Sequence, residues 1–436
     1  MSVPAQFGTG KLWTVLGVTF GLAVGVGNTI GAGILRSPGT IAAQLPEFLP
    51  FLSVWLIGGA YALLGANAIA ELATMVPRSG GQYVFVRRGL GDYAGFVVGW
   101  SDWVSTCGTT AALAIVIGEY TVGLVPELRS YHFVALLAVG ALTVVQWVGI
   151  RWASATQTVT SLIKAIVLLA FVGACFLFGS RNPFAADVTA DREGFLLVAF
   201  IVSLQAVIYT YDGWTAPIYF SEEFKDPGRQ IPRAIFGSLF VVIAIYLLVI
   251  LAFATVVPLP TLAGKDLAVA SVSQHLFGIY GDTVVRVLMV LALISALAAS
   301  LLMAPRVVFA MSRDGLFWRG ASEVNKGGTP DVALLVSSIL GGAFIISGSF
   351  ENVIAKLAFF FVANYTLSFV TLFVLRRREP DAPRPYRAWG HPFTTGLALL
   401  ASVVFLLGAV ATDTVNSLYA IGLLFLSYPA YRLTRR

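Results

Sequence analysis

Long apolar runs recur along the whole chain, separated by short polar connections, and each is long enough (about 18 residues or more) to cross a bilayer as a helix. Twelve spans can be laid out, at about 13–45, 48–76, 91–124, 131–150, 153–179, 193–222, 231–258, 281–312, 330–349, 352–376, 393–411 and 414–432. Between the seventh and eighth, Leu259 to Gly278 leaves room for a short helix outside the membrane. Two spans break the pattern. The first holds Gly25-Val26-Gly27-Asn28-Thr29-Ile30-Gly31-Ala32-Gly33-Ile34-Leu35, four glycines in nine residues with two polar side chains among them. Each Gly weakens a helix by about 1 kcal/mol relative to Ala, so this stretch predicts unwinding near Gly31-Ala32-Gly33. A half-helix restarting at Ala32 to Ile34 then points its free N–H groups, the positive dipole end, at an anion. The alternative is that the glycines only allow close helix packing.

The sixth span repeats the anomaly. Tyr209-Thr210-Tyr211-Asp212-Gly213-Trp214-Thr215-Ala216-Pro217 sets an Asp, a Gly and a Pro near its middle, and Pro in a helix interior costs about 3 kcal/mol. Freed backbone groups at that depth are tolerated only where they are buried in protein or line a cavity. The two breaks open two sets of five spans, about 13–179 and 193–376. Five is odd, so the sets lie in the membrane with opposite orientation, although no residue-level similarity between them is visible. Paired interrupted helices at matching positions of inverted halves point to a transporter's substrate site. The fold class expected is an all-α polytopic membrane protein, one domain over 1–436, with twelve transmembrane helices, a 5+5 inverted repeat with broken helices one and six, and two further helices over about 393–432.

Composition adds weight to the membrane reading: of 436 residues, 58% are hydrophobic and 11% charged, and the mean hydropathy is +0.84. The net charge of +6 sits in short connections, which excludes nucleic-acid binding. With the N-terminus inside, nineteen basic residues fall on the inner side and five on the outer, which predicts two cytoplasmic termini. The polar start, Met1 to Lys11, leads straight into a span without a clear cleavage site, so the first helix is read as uncleaved. Cys107 and Cys175 lie inside apolar segments and read as core residues rather than a disulfide framework. His132, His275 and His391 are scattered at span ends and suggest no metal site, and no cofactor is expected.

Charges at bilayer depth are costly and mark functional candidates. Lys164, about twelve residues into span five, needs a partner or a task, and its burial makes it a candidate for proton coupling; bracing the bundle is the alternative. Asp102 lies one turn below Ser105-Thr106 and is a possible cavity residue. Glu119 is read as solvated near the outer surface. Glu71 and Arg78, near the inner face, are read as structural or cytoplasmic-gate pairs, and Arg36, three residues past the break, as an outer-vestibule group or a structural pair.

At these residues the chain resembles the amino acid–polyamine–organocation superfamily, most closely the L-type amino acid transporter branch and its bacterial relatives. Gly31-Ala32-Gly33-Ile34-Leu35 resembles the break in helix one. Ala70-Glu71-Leu72 with Pro77-Arg78-Ser79-Gly80-Gly81-Gln82-Tyr83 resembles the segment between helices two and three. Asp212-Gly213-Trp214, Glu222-Glu223, Asp226-Pro227 and Ile231-Pro232 resemble the run from helix six into helix seven, with Asp226 in place of the more usual Asn. Arg306 to Gly315 and Thr329-Pro330 resemble the end of helix eight and the start of helix nine. The resemblance covers roughly residues 10–376.

The resemblance implies a substrate carboxylate on the N–H groups of Ala32, Gly33 and Ile34, and an ammonium on the carbonyls of Thr29, Tyr209 and Asp212. Ile30 and Gly31 at the first break and Gly213 and Trp214 at the second complete the implied substrate-binding set. Tyr209 matches an aromatic gate, Trp214 is a substrate contact or a packing residue, and Asp212 departs from the small residue often seen there. The resemblance also implies that Lys164 takes the place of a sodium ion, reaching the first break around Gly27 and helix eight. Animal relatives in this branch are joined to a glycoprotein through a Cys between helices three and four; Val125 to His132 contains none, so no disulfide-linked partner is expected.

The expected function is sodium-independent secondary transport of neutral L-amino acids by alternating access, as an exchanger or proton-coupled symporter, in a bacterial inner membrane. The alternatives are transport of another small amine or organocation such as a polyamine, a membrane-embedded enzyme, or a sensor. No phosphate-binding G-x-x-x-x-G-K-[ST] loop is present, and no nucleophile–base or metal cluster sits at one depth.

Overall fold

The computed structural model describes residues 11–184, 196–348 and 350–412, together with 418, 422, 424, 427–432 and 434. Among the described residues all named elements are helical. The first span is two helices, α1 (Val18–Thr29) and α2 (Gly33–Gln44), bent by 42° at the break. There follow α3 (Phe48–Met75), a short α4 (Gln82–Leu90), α5 (Asp92–Leu124), α6 (Tyr131–Val148) and α7 (Ile150–Phe178). Next come α8 (Leu196–Tyr211), a 3₁₀ segment (Ala216–Glu223), α9 (Pro227–Val256), α10 (Leu259–Leu262) and α11 (Ala268–Phe277). The series ends with α12 (Gly281–Arg313), α13 (Asp331–Ser347), α14 (Phe350–Arg378) and α15 (Phe393–Thr412).

Eight of the described helices are long and apolar enough to cross a membrane, or nine if the bent pair is one span. The chain is a polytopic membrane protein. The twelfth expected span, about 414–432, lies largely outside the described residues. The connection from Leu259 to Gly278, expected to hold one short helix, holds two, α10 and α11.

Helices α1, α5, α12 and the 3₁₀ segment form the interior, while α6, α7 and α15 turn large apolar side chains outward. Leu177, for example, is 81% exposed, as a lipid-facing residue should be. Trp55 of α3 packs edge-on against Tyr211 of α8 and Tyr246 of α9, which are tilted against each other, with ring centroids 5.0–6.3 Å apart, in the preferred range for aromatic pairs.

The face from which α1 starts, here the N-terminal face, is closed by ion pairs. Arg306 of α12 makes a two-pronged pair with Glu223 at 2.8 and 3.0 Å, both side chains fully buried, and its guanidinium lies 4.5 Å from the Phe220 ring. Arg313 pairs with Glu222 at 2.9 Å, and Asp314 takes Arg78 at 2.8 Å and Arg87 at 2.6 Å. The stretch before α1 joins the same layer, with Leu16 N–H donating to Glu223 O at 2.9 Å. Glu71 and Arg78 are not each other's partners. Glu71 is instead held by Arg376, in the last turn of α14, at 2.5 Å and by Arg384, on the connection that follows, at 3.0 Å, both some three hundred residues away. One α-turn on α3, Asn67 grips that same connection, donating to Trp389 O at 2.8 Å and accepting from Tyr386 Oη at 2.7 Å.

Candidate functional site

The two breaks meet. Ile30-Gly31-Ala32 separate α1 from α2, and α8 ends at Tyr211 with residues 212–215 in turns. Gly213 sits against the first break with φ +110°; a Cβ there would lie 2.9 Å from both Asn28 Nδ2 and Thr29 N, so only glycine fits this approach. Tyr246 Oη reaches both breaks, 2.8 Å from Thr29 O and 2.9 Å from Thr210 O. In α2 the first intrahelical bonds run from Leu35 and Arg36 N–H to Ala32 O, at 3.2 and 3.1 Å. The N–H groups of the first turn are therefore left to face whatever sits at the break.

That space is a cavity of about 230 Å³, smaller than the roughly 300–1,000 Å³ of drug-sized pockets. Its wall includes Thr29, Gly31, Ala32, Gly33, Tyr209, Asp212, Gly213 and Asp102 from the sequence-predicted set. Ile30, Ile34 and Trp214 are buried beside it rather than lining it, and Trp214 stacks on Tyr365 at 5.4 Å. Asp212 accepts a short hydrogen bond from Tyr365 Oη. Asp102, 2% exposed, accepts from Tyr219 Oη at 2.8 and 2.9 Å on its two oxygens.

Lys164 lies behind the break rather than in the cavity wall. Its side chain is buried, with Nζ donating to Gly27 O at 2.7 Å and to Ile30 O. These carbonyls end α1, the negative pole of that half-helix. Ser295 of α12 turns its hydroxyl to the same Gly27 O at 3.4 Å, so α1, α7 and α12 converge there.

Arg36, Ser37, Gly31 and Gly33 are partly exposed, whereas Gln82, Asp102, Tyr219 and Asn364 at the other end are buried. The cavity is thus open toward Arg36 and closed toward the N-terminal face. Glu119 is exposed, and both cysteines are free and buried. Among the described residues no cluster of His, Cys, Asp or Glu could hold a metal ion. Sequence reasoning missed Gln82, Tyr219, Asn364 and Tyr365 in the wall and Tyr246 behind it. For Tyr219, Tyr246, Asn364 and Tyr365, polar atoms inside expected spans were the available signal; Gln82, between two spans, offered none.

A family model described as amino acid permease matches residues 11–427. The chain is similar to the serine/threonine exchanger SteT of Bacillus subtilis, 27% identical over 411 residues and covering 92% of each chain. It is similar to the b(0,+)-type amino acid transporter 1 of Mus musculus, 27% identical over 418 residues, 93% of this chain and 84% of that one. It also resembles the large neutral amino acids transporter small subunit 2 of Rattus norvegicus, 25% identical over 408 residues, 90% of this chain and 74% of the other.

Proposed function

Because the chain belongs to the amino acid permease family, whose similar members are transporters rather than enzymes, we propose that it is a sodium-independent secondary transporter of neutral L-amino acids. It works by alternating access, as an exchanger or a proton-coupled symporter, on a twelve-helix, 5+5 inverted-repeat scaffold with both termini cytoplasmic. The observation that carries the reading is Lys164 Nζ on the Gly27 and Ile30 carbonyls. A fixed ammonium at the end of α1 supplies the positive charge that a bound cation would otherwise bring to that dipole end.

The cavity supports the rest. The N–H groups of Ala32, Gly33 and Ile34 suit a carboxylate, and the carbonyls of Thr29, Tyr209 and Asp212 suit an ammonium, so a free amino acid spans the two breaks. The ion-pair layer on the N-terminal face is the gate that opens as the opposite side closes. Exchange is favoured by the relative named a serine/threonine exchanger, and a bacterial inner membrane by that relative's host. The nineteen-to-five bias of basic residues supports the orientation. The burial of both cysteines, Cys107 and Cys175, supports a chain that needs no disulfide-linked partner.

The test is uptake of radiolabelled neutral amino acids into proteoliposomes, with and without internal amino acid, an inward proton gradient and sodium. Uptake that requires internal amino acid identifies an exchanger, and uptake that follows the gradient identifies a symporter. Uptake that requires sodium overturns the role given to Lys164. Uptake of a polyamine and of no amino acid overturns the substrate class.

A further inference from the structure

The closed end of the cavity carries more hydrogen-bonding chemistry than an amino acid's backbone can use. Its buried groups are the Asp102 carboxylate, Tyr219 Oη and the amides of Gln82 and Asn364, each side chain 2–3% exposed. Each amide oxygen lies 3.0 Å from a serine hydroxyl, Asn364 Oδ1 from Ser101 Oγ and Gln82 Oε1 from Ser368 Oγ, and each hydroxyl shares its one proton with a backbone carbonyl, Val98 O at 3.1 Å and Asn364 O at 2.9 Å. No hydrogen bond to a protein acceptor is made by the NH2 group of either amide among the described residues, and both residues line the cavity. Two donors and the Asp102 carboxylate therefore stand together at the closed end of the cavity, whose wall also holds the Asp212 carboxylate, bonded by Tyr365.

We propose that this end is a side-chain subsite for a neutral group that both donates and accepts hydrogen bonds, a carboxamide or a hydroxyl. The inference rests on the cavity being an amino-acid site, and it names which amino acids. A carboxamide oxygen takes the amide donors of Gln82 and Asn364 while its own NH2 meets Asp102; a hydroxyl does the same with one of each. A cationic side chain finds Asp102 but points at two NH2 donors it cannot satisfy. An anionic one meets the donors but opposes the carboxylate. An aliphatic one leaves the two NH2 groups desolvated without a partner, which is costly.

The experiment is competitive uptake into proteoliposomes with near-isosteric pairs, asparagine against leucine, glutamine against methionine and threonine against valine, with lysine as a fourth arm. The polar member is expected to win by about tenfold or more in kcat/KM, the scale set by leaving one buried partner unmade. Asn364→Leu is expected to lower the asparagine-to-leucine ratio by about tenfold. Asn364→Asp, which exchanges a donor for an acceptor, should move preference toward lysine, and reports even where the leucine variant folds poorly. Preference for leucine, valine or lysine in the native protein overturns the subsite and leaves amino-acid transport standing. So does a ratio unmoved by both variants. Uptake of no amino acid overturns the transport reading and the subsite with it.

Discussion

Lys164 is the residue whose replacement separates a coupling role from a bracing one. Methionine keeps most of its length and removes the charge, so Lys164→Met isolates the ammonium. The ammonium makes two hydrogen bonds to carbonyls at the end of α1, Gly27 O at 2.7 Å and Ile30 O, in a fully buried position. Bonds to a charged donor contribute about 1.5–3 kcal/mol each, so the pair stabilises this form of the break by about 3–6 kcal/mol. At about 1.4 kcal/mol per tenfold, the lower figure alone is more than a hundredfold in the population of the packed break. Part of that loss is recoverable, because Gly27 O, Ile30 O and the Ser295 hydroxyl remain as oxygen ligands around the vacated position. Uptake by Lys164→Met is therefore expected to fall by about a hundredfold without added cation, and a small monovalent cation is expected to restore some of it. The assay is radiolabelled uptake into proteoliposomes at fixed ionic strength, comparing sodium with a bulky organic cation for native protein, Lys164→Met and Lys164→Ala. Native uptake should ignore the exchange of cation. Uptake by both variants equal to the native rate would refute the argument, because the charge at the end of α1 would then be doing nothing for the break.

Three further outcomes follow from the same geometry. Tyr246→Phe removes the one hydroxyl shared by Thr29 O and Thr210 O, so it should raise KM by about tenfold while kcat changes less, as measured by initial uptake rates. Gly81→Ala should lower the melting temperature of the purified protein and slow transport, because Gly81 has φ +67° and ψ −145° and a Cβ there would lie 2.6 Å from the Tyr219 ring; an alanine in that glycine-favouring backbone region costs about 1–3 kcal/mol before the clash is counted. Glu223→Leu strands the buried Arg306 charge and should destabilise the protein by about 3–5 kcal/mol, whereas Glu223→Leu with Arg306→Met should recover most of that in a thermal-unfolding double-mutant cycle; equal loss in single and double variants would remove the pair from the gate.

The breaks were legible because their cause is local. Glycines at 25, 27, 31 and 33 and the Asp212-Gly213 pair with Pro217 weaken a helix wherever it is, so the sequence located both interruptions to within a few residues. Eight of the expected spans, or nine with the bent pair, were legible for the same reason, since hydropathy is additive along the chain. The partners of charged residues were not. Glu71 meets Arg376 at the end of α14 and Arg384 beyond it, across three hundred residues of sequence, and nothing local distinguishes them from the basic residues around them. The cavity wall was legible only where a break supplied it. Gln82 comes from α4, a short helix in the segment the sequence leaves between two spans, and Asn364 from the middle of α14, where Tyr365, Thr366 and Ser368 are polar neighbours that mark no one of them out. The form of the second break also escaped the sequence: the chain past Ala216 continues as a 3₁₀ segment rather than an α half-helix.

That 3₁₀ segment explains how a cavity can act on a gate. Pro217 near its start lacks an N–H, and Phe220 inside it leaves helical geometry at φ −111° and ψ 18°, so the segment holds few strong bonds of its own. Its shape is set by what it touches, and its two ends touch different things. Tyr219 meets Asp102 at the closed end of the cavity. Glu222 and Glu223, three and four residues on, meet Arg313 and Arg306 in the ion-pair layer, and Glu223 O takes the N–H of Leu16 ahead of α1. At about 2.0 Å rise per residue the distance between these contacts is roughly 6–8 Å, too short for one to shift without the other. A substrate side chain that competes with Tyr219 for Asp102 thus bears on the same few residues that hold the N-terminal face shut. A regular α-helix here would absorb that competition in its own hydrogen-bond ladder; a segment without a strong ladder passes it on.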